Sequence, residues 1–334
     1  MNDNGILNNG GSSTGSRDSF DEVIALLPAP LAEEAYGIMS GTVRCEITEI
    51  RLRTGQTSSY RVCTSGAHMA NFGAQGANTA VNKERIVTGK VICDKEIINE
   101  CINKFINYSY YAYEDEMKNG YITLSGGHRV GICGHIVTEN GKVHLMRNIS
   151  SVNIRHAREY KGITAGLADK ITAPDGRIES TLIVSPPRCG KTTLVRDIVR
   201  TLSGRGYVVG VCDERSEIAG MRDGAPSFDI GANTDVMDAC PKAEGMLMLL
   251  RSMAPDVIAT DEIGKGEDIE AIESALLAGV SIIATVHGGG RRDIAESRIS
   301  PLIEKGAFKN IVFLGNRPRI GSIRQIVHIN GKEN

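Results

Sequence analysis

The segment from Ser185 to Thr193, Ser-Pro-Pro-Arg-Cys-Gly-Lys-Thr-Thr, has the residue types that a phosphate-binding loop needs. Gly190 lets the backbone come close to an anion, and the ammonium of Lys191 can reach the β- and γ-phosphates of a nucleotide. The hydroxyl of Thr192 can bind Mg²⁺, and the start of the following helix adds a positive potential. The predicted nucleotide contacts are Ser185, Pro186, Pro187, Arg188, Cys189, Gly190, Lys191, Thr192 and Thr193.

An acidic pair, Asp261 and Glu262, follows the apolar run of residues 257–260, which is typical of a buried strand. An aspartate at a strand end can hold the hydration shell of Mg²⁺, and a neighbouring glutamate can orient or deprotonate an attacking water. The pair favours hydrolysis over a kinase or a simple switch. We predict Asp261 as a metal residue and Glu262 as the main catalytic base, with a solvated strand end as the alternative.

Two further predicted strands end in polar residues. Asp213 and Glu214 follow residues 207–212, and His287 follows residues 281–286. Glu214 could assist Glu262, and His287 could contact the γ-phosphate. The alternatives are a charged surface turn for the acidic pair and a structural role for the histidine.

The elements that must position these residues alternate between strand and helix from residue 179 onward, which indicates a parallel α/β sheet. Before residue 160 the pattern is mixed. Asp94 can cap a helix with one apolar face, and the tyrosines at 108, 110, 111 and 113 are expected to pack in a core. We predict a disordered tail over 1–17, an α+β domain over 18–160, a linker over 161–178 and a second domain over 179–334.

Composition narrows the function classes. The chain has 334 residues and a net charge of −2, which gives no general attraction to nucleic acid or anionic lipid. Its eight cysteines form no Cys-x-x-Cys pair, which predicts buried free thiols in a reducing cytosol. No signal peptide and no apolar run of about 20 residues is seen, so we expect a soluble protein. The lack of an Asn-Lys-x-Asp motif favours ATP over GTP.

The four strand-end motifs, in this order, resemble those of the secretion-ATPase superfamily, which powers type II and type IV secretion and pili. The resemblance implies a RecA-like P-loop ATPase core with a mainly parallel sheet, preceded by a smaller α+β domain. It also implies ATP and Mg²⁺ as ligands and a hexameric ring with ATP between the two domains. The family usually has Gly-Glu where this chain has Asp261-Glu262, and Glu-Asp where it has Asp213-Glu214. Which carboxylate is the main base therefore stays open.

Within the superfamily, the chain is most similar to a member from endospore-forming bacteria. The similarity rests on residues 49–53, 125–134, 212–218 and 234–245 in addition to the loop. It implies a motor on the mother-cell side of the membranes around the forespore, held there by membrane-bound channel components. From the composition we expect no membrane span and, with a net charge of −2, no nucleic-acid partner. Basic residues of the first domain could complete the site in cis or from a neighbour; the candidates are Arg129, Arg147, Arg155 and Arg158.

Two other functions remain possible from the sequence. The tyrosines and Arg291-Arg292 could belong to an ATP-gated nucleic-acid-binding protein, because aromatic rings and basic residues together hold single strands. The second alternative is a nucleotide-binding scaffold that does not hydrolyse ATP, and the Asp261-Glu262 pair argues against it.

Overall fold

The structure is a computed structural model. It describes residues 19–41, 45–64, 84–187, 189–222, 224–316 and 321–329. The predicted disordered tail over 1–17 and the predicted phosphate contact Arg188 lie outside the described residues.

The first half of the chain forms an antiparallel sheet with helices packed on it. Its six strands lie in the order β3-β2-β1-β6-β5-β4. The strands are β1 (Cys45–Arg53), β2 (Gln56–Thr64), β3 (Arg85–Cys93), β4 (Tyr121–Leu124), β5 (His128–Glu139) and β6 (Lys142–Arg155). The helices are α1 (Ser19–Ala25), α2 (Ala29–Met39), α3 (Lys95–Phe105) and α4 (Glu114–Lys118).

Helix α3 shows why this half folds as it does. The carboxylate of Asp94 accepts a hydrogen bond from the amide of Ile97, at 2.8 Å, and so caps the helix as predicted. The apolar residues of the helix recur on one face, and its buried members are Ile98, Cys101, Ile102 and Phe105. This face joins the core of the first sheet.

The expectation that the tyrosines pack in this core is wrong for three of them. Tyr108, Tyr110 and Tyr111 are 71%, 53% and 92% exposed. Helix α3 ends at Phe105, and Asn107 and Tyr108 then adopt left-handed backbone angles, with φ of 47° and 57°. The helical spacing therefore does not extend to the tyrosines, and the chain turns their rings outward. Only Tyr113 packs against the core.

The second half forms a mainly parallel sheet in the order β11-β8-β12-β13-β7-β14-β15, with only β15 antiparallel to its neighbour. The strands are β7 (Thr181–Ser185), β8 (Val209–Asp213), β9 (Met221–Arg222), β10 (Ala225–Pro226), β11 (Thr234–Asp238), β12 (Val257–Glu262), β13 (Ser281–His287), β14 (Asn310–Gly315) and β15 (Ser322–His328), of which β9 and β10 form a separate hairpin. The helices are α5 (Ala165–Lys170), α6 (Lys191–Gly204), α7 (Lys242–Ser252), α8 (Gly266–Leu277), α9 (Arg291–Ala295) and α10 (Ser300–Glu304).

Separate apolar cores lie on the two faces of this second sheet. One core packs under α6 and the other under α7 and α8. Burial on both faces explains why β7 and β8 are buried along their whole length. The mainly parallel sheet confirms the predicted α/β class, with a smaller α+β portion before it, while the exact domain boundaries stay a prediction.

The eight cysteines are all free thiols, and six of them are buried. Cys133 is exposed and Cys240 is half-buried, so the expectation of burial is wrong for these two. Within the described ranges, no helix is long and apolar enough to cross a membrane.

Candidate functional site

The strand order brings the predicted motifs to one edge of the second sheet. Strand β13 lies between β7, which leads into the predicted phosphate loop, and β12, which ends in Glu262. In register, His287 pairs with Ser185, and Glu262 pairs with Thr285. Because the carboxyl ends of parallel strands meet at the same edge, the loop, the histidine and the acidic pair become neighbours.

The loop has the strand-to-helix geometry that anion binding requires. Strand β7 ends at Ser185, and α6 begins at Lys191. Gly190 precedes the helix with φ of 78° and ψ of 22°, a left-handed conformation that favours glycine. The amide groups at the start of this 14-residue helix have no intrahelical acceptors and carry the positive end of its dipole.

Lys191 directs its ammonium into this loop. Its Nζ donates to the carbonyl oxygens of Ser185 and Pro186, at 3.2 and 3.4 Å, and to Nδ1 of His287 at 2.7 Å. The residue is only 9% exposed, and this burial lowers the pKa of the ammonium. A phosphate group would give that ammonium a charged partner in place of these neutral acceptors.

His287 connects Lys191 to Glu262. Its Nε2 lies 2.9 Å from Oε1 of Glu262, while its Nδ1 faces Lys191. A lysine ammonium can only donate, so Nδ1 must accept, and the proton of a neutral ring then lies on Nε2 and is donated to Glu262. The structure thus places three of the four predicted catalytic side chains in one hydrogen-bonded chain, Lys191–His287–Glu262.

The predicted acidic turn contains two carboxylates with different surroundings. The side chain of Asp213 accepts hydrogen bonds at 2.9 Å from the backbone amides of Glu217, Ile218 and Ala219. Burial raises the pKa of Asp213 to about 6, against the opposing effect of these hydrogen bonds. Asp213 therefore stabilises the backbone of the turn that follows β8, through the three amides that it binds. Glu214 points elsewhere, toward a lysine that sequence reasoning did not single out.

That lysine is Lys242, the first residue of α7. Its Nζ lies within 3.0 Å of Oε2 of Glu214 and Oδ1 of Asp261, and the side chain is 7% exposed. Glu214, predicted to be catalytic, and Asp261, predicted to bind metal, are thus joined to each other through one ammonium. The sequence held one clue, because a lysine in the first turn of a helix opposes the helix dipole.

The oxygen donors here suit Mg²⁺ better than softer metals. The structure places the hydroxyl of Thr192 at the start of α6 and the carboxylate of Asp261 at the end of β12. Among the described residues, no three or more His, Cys, Asp or Glu side chains surround a common metal position. Mg²⁺ commonly takes one or two protein ligands and completes its shell with substrate phosphates and water, so this donor set fits it.

A cavity of about 440 Å³ adjoins the phosphate loop on the side away from His287. It is lined by Pro186, Pro187, Cys189, Leu314, Gly315, Asn316 and Arg324. A larger groove, of about 1070 Å³, lies at the opposite edge of the same sheet and includes none of the predicted site residues. The smaller cavity is therefore the one that continues the candidate site.

The arginines of the first half are not equally placed. Arg129 is held by Glu217, with Nη1 2.6 Å from Oε1, and its guanidinium lies over the ring of Tyr121. Nε of Arg158 lies 4.0 Å from Oε2 of Glu46. Arg147 and Arg155 are exposed on β6. Arg129 alone among these four contacts the acidic turn that follows β8 in the described structure.

Comparison with known proteins supports both the family and the fold. The family model described as "Sporulation stage III, protein AA" matches residues 43–333. The stage III sporulation protein AA of Bacillus subtilis (strain 168) is 44% identical over 237 residues, which cover 69% of this chain and 76% of that protein. An uncharacterized protein, ycf45 of Cyanidium caldarium, is 28% identical over 218 residues, covering 64% of this chain and 58% of that one.

Among solved structures, the fold is similar to that of the pilus retraction motor PilT with bound ADP. The TM-score is 0.52 at 15% identity, and the match covers 86% of this chain and 80% of that one. At this identity the likeness concerns the fold alone. It confirms the expected similarity to secretion-type ATPases at the level of architecture.

Proposed function

The chain belongs to the sporulation stage III protein AA family, and from that premise we propose that it is the ATP-hydrolysing motor of a secretion-type transenvelope channel used in endospore formation. The observation that carries the proposal is the Lys191–His287–Glu262 chain at the carboxyl edge of a parallel sheet. A lysine that can bind phosphate is there linked, through His287, to a carboxylate that can activate water.

The strand order supports one orientation of ATP. The γ-phosphate would face His287 and Glu262, since both lie on the β12–β13 side of the loop. The base would then point to the other side, toward the cavity beside β14 and β15. Arg324, whose side chain packs over Gly315, could stack on a purine there.

The residues of the chain would divide the reaction between them. The loop amides and Lys191 would bind the phosphates and stabilise the charge that develops on the γ-phosphoryl group. Glu262 would orient the attacking water and accept its proton, as the bond to the β–γ bridging oxygen breaks to give ADP and phosphate. Thr192 and Asp261 would hold Mg²⁺, which when bound neutralises phosphate charge. His287 would fix the position of the Glu262 carboxylate.

The proposal also covers the partners of the protein and its location in the cell. We infer a ring of identical subunits, with membrane-bound channel components holding it against the membranes around the forespore on the mother-cell side. The resemblance to ring-forming secretion ATPases and the family relationship support this part.

A conservative substitution of the proposed base tests the function. Glu262→Gln keeps the shape of the side chain but cannot accept the proton of water, so ATP should still bind while phosphate release falls by about 10²–10⁴-fold. Glu270→Gln, an exposed change on α8, is the matched control and should behave as the wild type. Normal turnover in Glu262→Gln together with slow turnover in Glu214→Gln would move the role of base to Glu214.

A second candidate function is supported by the exposed rings of Tyr108, Tyr110 and Tyr111. Exposed aromatic side chains can stack on the bases of single-stranded nucleic acid. Turnover of ATP should be measured with and without single-stranded RNA and DNA. Strong stimulation, with binding that weakens steeply as salt is raised, would favour the nucleic-acid function over the channel motor.

A further inference from the structure

Lys242 occupies an unusual position for a lysine. Its ammonium is almost fully buried at the carboxyl edge of the sheet, between the end of β8 and the end of β12. Both neighbouring carboxylate oxygens, of Glu214 and Asp261, lie within 3.0 Å of the one nitrogen. A single cation at that point can therefore touch both carboxylates.

We propose that the ammonium of Lys242 is a built-in counter-ion that stops Asp261 and Glu214 from binding a divalent cation in the absence of nucleotide. The inference rests on the proposed function, in which Asp261 is a magnesium residue. It makes Lys242 a positioning residue, since it would act through these carboxylates and not on the reacting atoms.

The charges nearby explain why a counter-ion is needed. Asp238 and the buried Asp213 carry further carboxyl groups in the same region, on neighbouring strands. Among the described residues, the other cations near this group are Arg215 and Lys265, and Arg215 is exposed to solvent. Lys265 lies 3.5 Å from Glu214, but its side chain is 66% exposed and screened by water. Lys242 is thus the main source of positive charge inside this acidic group.

The ammonium and a magnesium ion would not be equivalent occupants. Mg²⁺ requires oxygen ligands at about 2.0–2.1 Å in octahedral geometry, and it usually retains water or takes phosphate oxygens. Two carboxylates with no ammonium between them would offer an ion-binding site even without phosphate. With Lys242 present, the arrival of the metal depends on the additional negative charge of the nucleotide.

A purely structural role makes a different prediction. A buried ion pair that serves only stability would lower the stability of the protein when Lys242 is replaced, because the two carboxylates would be left unpaired. It would not create affinity for a divalent cation in the nucleotide-free protein. Cation binding without nucleotide is therefore the measurement that separates the two roles.

The test uses Mn²⁺ as a paramagnetic substitute for Mg²⁺, with the full chain and no nucleotide. The nucleotide-free wild type should bind Mn²⁺ weakly, and Lys242→Met should bind it at least about tenfold more tightly, with competition by Mg²⁺. Lys265→Met removes the exposed neighbour of the same glutamate and is the matched control, with no more than about a twofold change. Lys242→Met combined with Glu214→Gln should lose the gained affinity.

The melting temperature provides a second readout. A ligand that binds the native state stabilises it, so Mn²⁺ should raise the melting temperature of Lys242→Met more than that of the wild type. If the variant is unfolded without metal, Mn²⁺ should restore a cooperative unfolding transition. The proposal is overturned if Mn²⁺ neither raises the melting temperature of Lys242→Met nor restores its cooperative unfolding. It is also overturned if the wild type or Lys265→Met binds Mn²⁺ as tightly as Lys242→Met. None of these readouts requires ATP binding, so the proposed function is tested separately.

Discussion

His287 is the residue on which the geometry of the candidate site depends most. It accepts from the ammonium of Lys191 and donates to the carboxylate of Glu262, so it holds the two groups in a defined relation. The side chains of both outer residues can adopt other orientations. The side chain of Glu262 is 41% exposed, and the ammonium of Lys191 stands at the end of a flexible side chain. The histidine is therefore expected to affect the rate of reaction more than the affinity for nucleotide.

Replacement of this histidine tests that role. His287→Ala should reduce kcat by about tenfold or more, because a misplaced catalytic group can cost up to about 10²-fold. The affinity for ATP should stay within about threefold, since the loop amides and Lys191 remain. His135→Ala, an exposed change on β5, serves as the control. An unchanged kcat in a well-folded His287→Ala variant would show that the hydrogen-bonded series Lys191–His287–Glu262 has no role in turnover.

At the level of single residues, the sequence predicts which strand ends carry chemistry but not how they combine. Lys191, Glu262 and His287 could be picked out because their types and their positions after apolar runs are local features. The pairing of Glu214 and Asp261 through Lys242 could not, because it joins residues from three elements that are distant in the chain. Arg129 was one of four equal candidates until its contact with Glu217 set it apart.

Helix α6 links the phosphate loop to the segment between the two sheets. From this helix, Arg196 donates to the backbone oxygens of Ile218, Glu217 and Arg158, at 2.7, 2.6 and 3.1 Å. The neighbouring Asp197 accepts from the amides of Gly162 and Thr164, at 2.9 and 2.8 Å. Through these hydrogen bonds, a shift of α6 would displace both the acidic turn after β8 and the segment that connects the two sheets.

Asp197 provides a prediction for stability and its pH dependence. Burial raises the pKa of this carboxyl, but hydrogen bonds from Thr164, Arg200 and backbone amides outweigh it, so the pKa is lowered overall. Asp197→Asn should therefore lower the free energy of unfolding at pH 7 by about 1.5–3 kcal/mol. A lowered pKa contributes stability above the pKa of the unfolded chain and loses it as the pH falls.

The difference between wild type and Asp197→Asn should therefore be constant above about pH 5 and shrink below about pH 4, where the wild-type carboxylate is protonated. Denaturant unfolding across this range measures it. Asp169→Asn changes an exposed carboxylate on α5 beside Arg205 and is the control. A difference that grows as the pH falls would contradict the assigned hydrogen bonds.

At the level of elements, the sequence predicts best where burial is complete. Strands β7, β12 and β13 have continuous apolar runs because both faces of the sheet are covered. Strand β11 was not predicted, since it lies at the edge, is half-buried throughout and carries two aspartates. Strand β3 was missed because it is an edge strand with much of its surface exposed, and β2 was missed because Thr57, Ser58 and Ser59 interrupt its apolar pattern.

For the whole molecule, the exposure of the site is the main consideration. The side chains of His287 and Glu262 are 42% and 41% exposed, whereas phosphoryl transfer benefits from a site that excludes water. Within this chain, Arg129 is already engaged by Glu217. A surface from a second copy would cover the proposed catalytic groups, which is consistent with the proposed ring.

Turnover measured against protein concentration, together with the mass of the assembly, tests the motor proposal most directly. We predict that phosphate release per subunit rises with concentration and reaches a plateau as a ring of uniform mass forms. Glu262→Gln should form the same ring but release phosphate about 10²–10⁴-fold more slowly. A monomer that hydrolyses ATP at a rate independent of concentration would contradict the ring motor, and the absence of hydrolysis at every concentration would contradict the proposed ATPase itself.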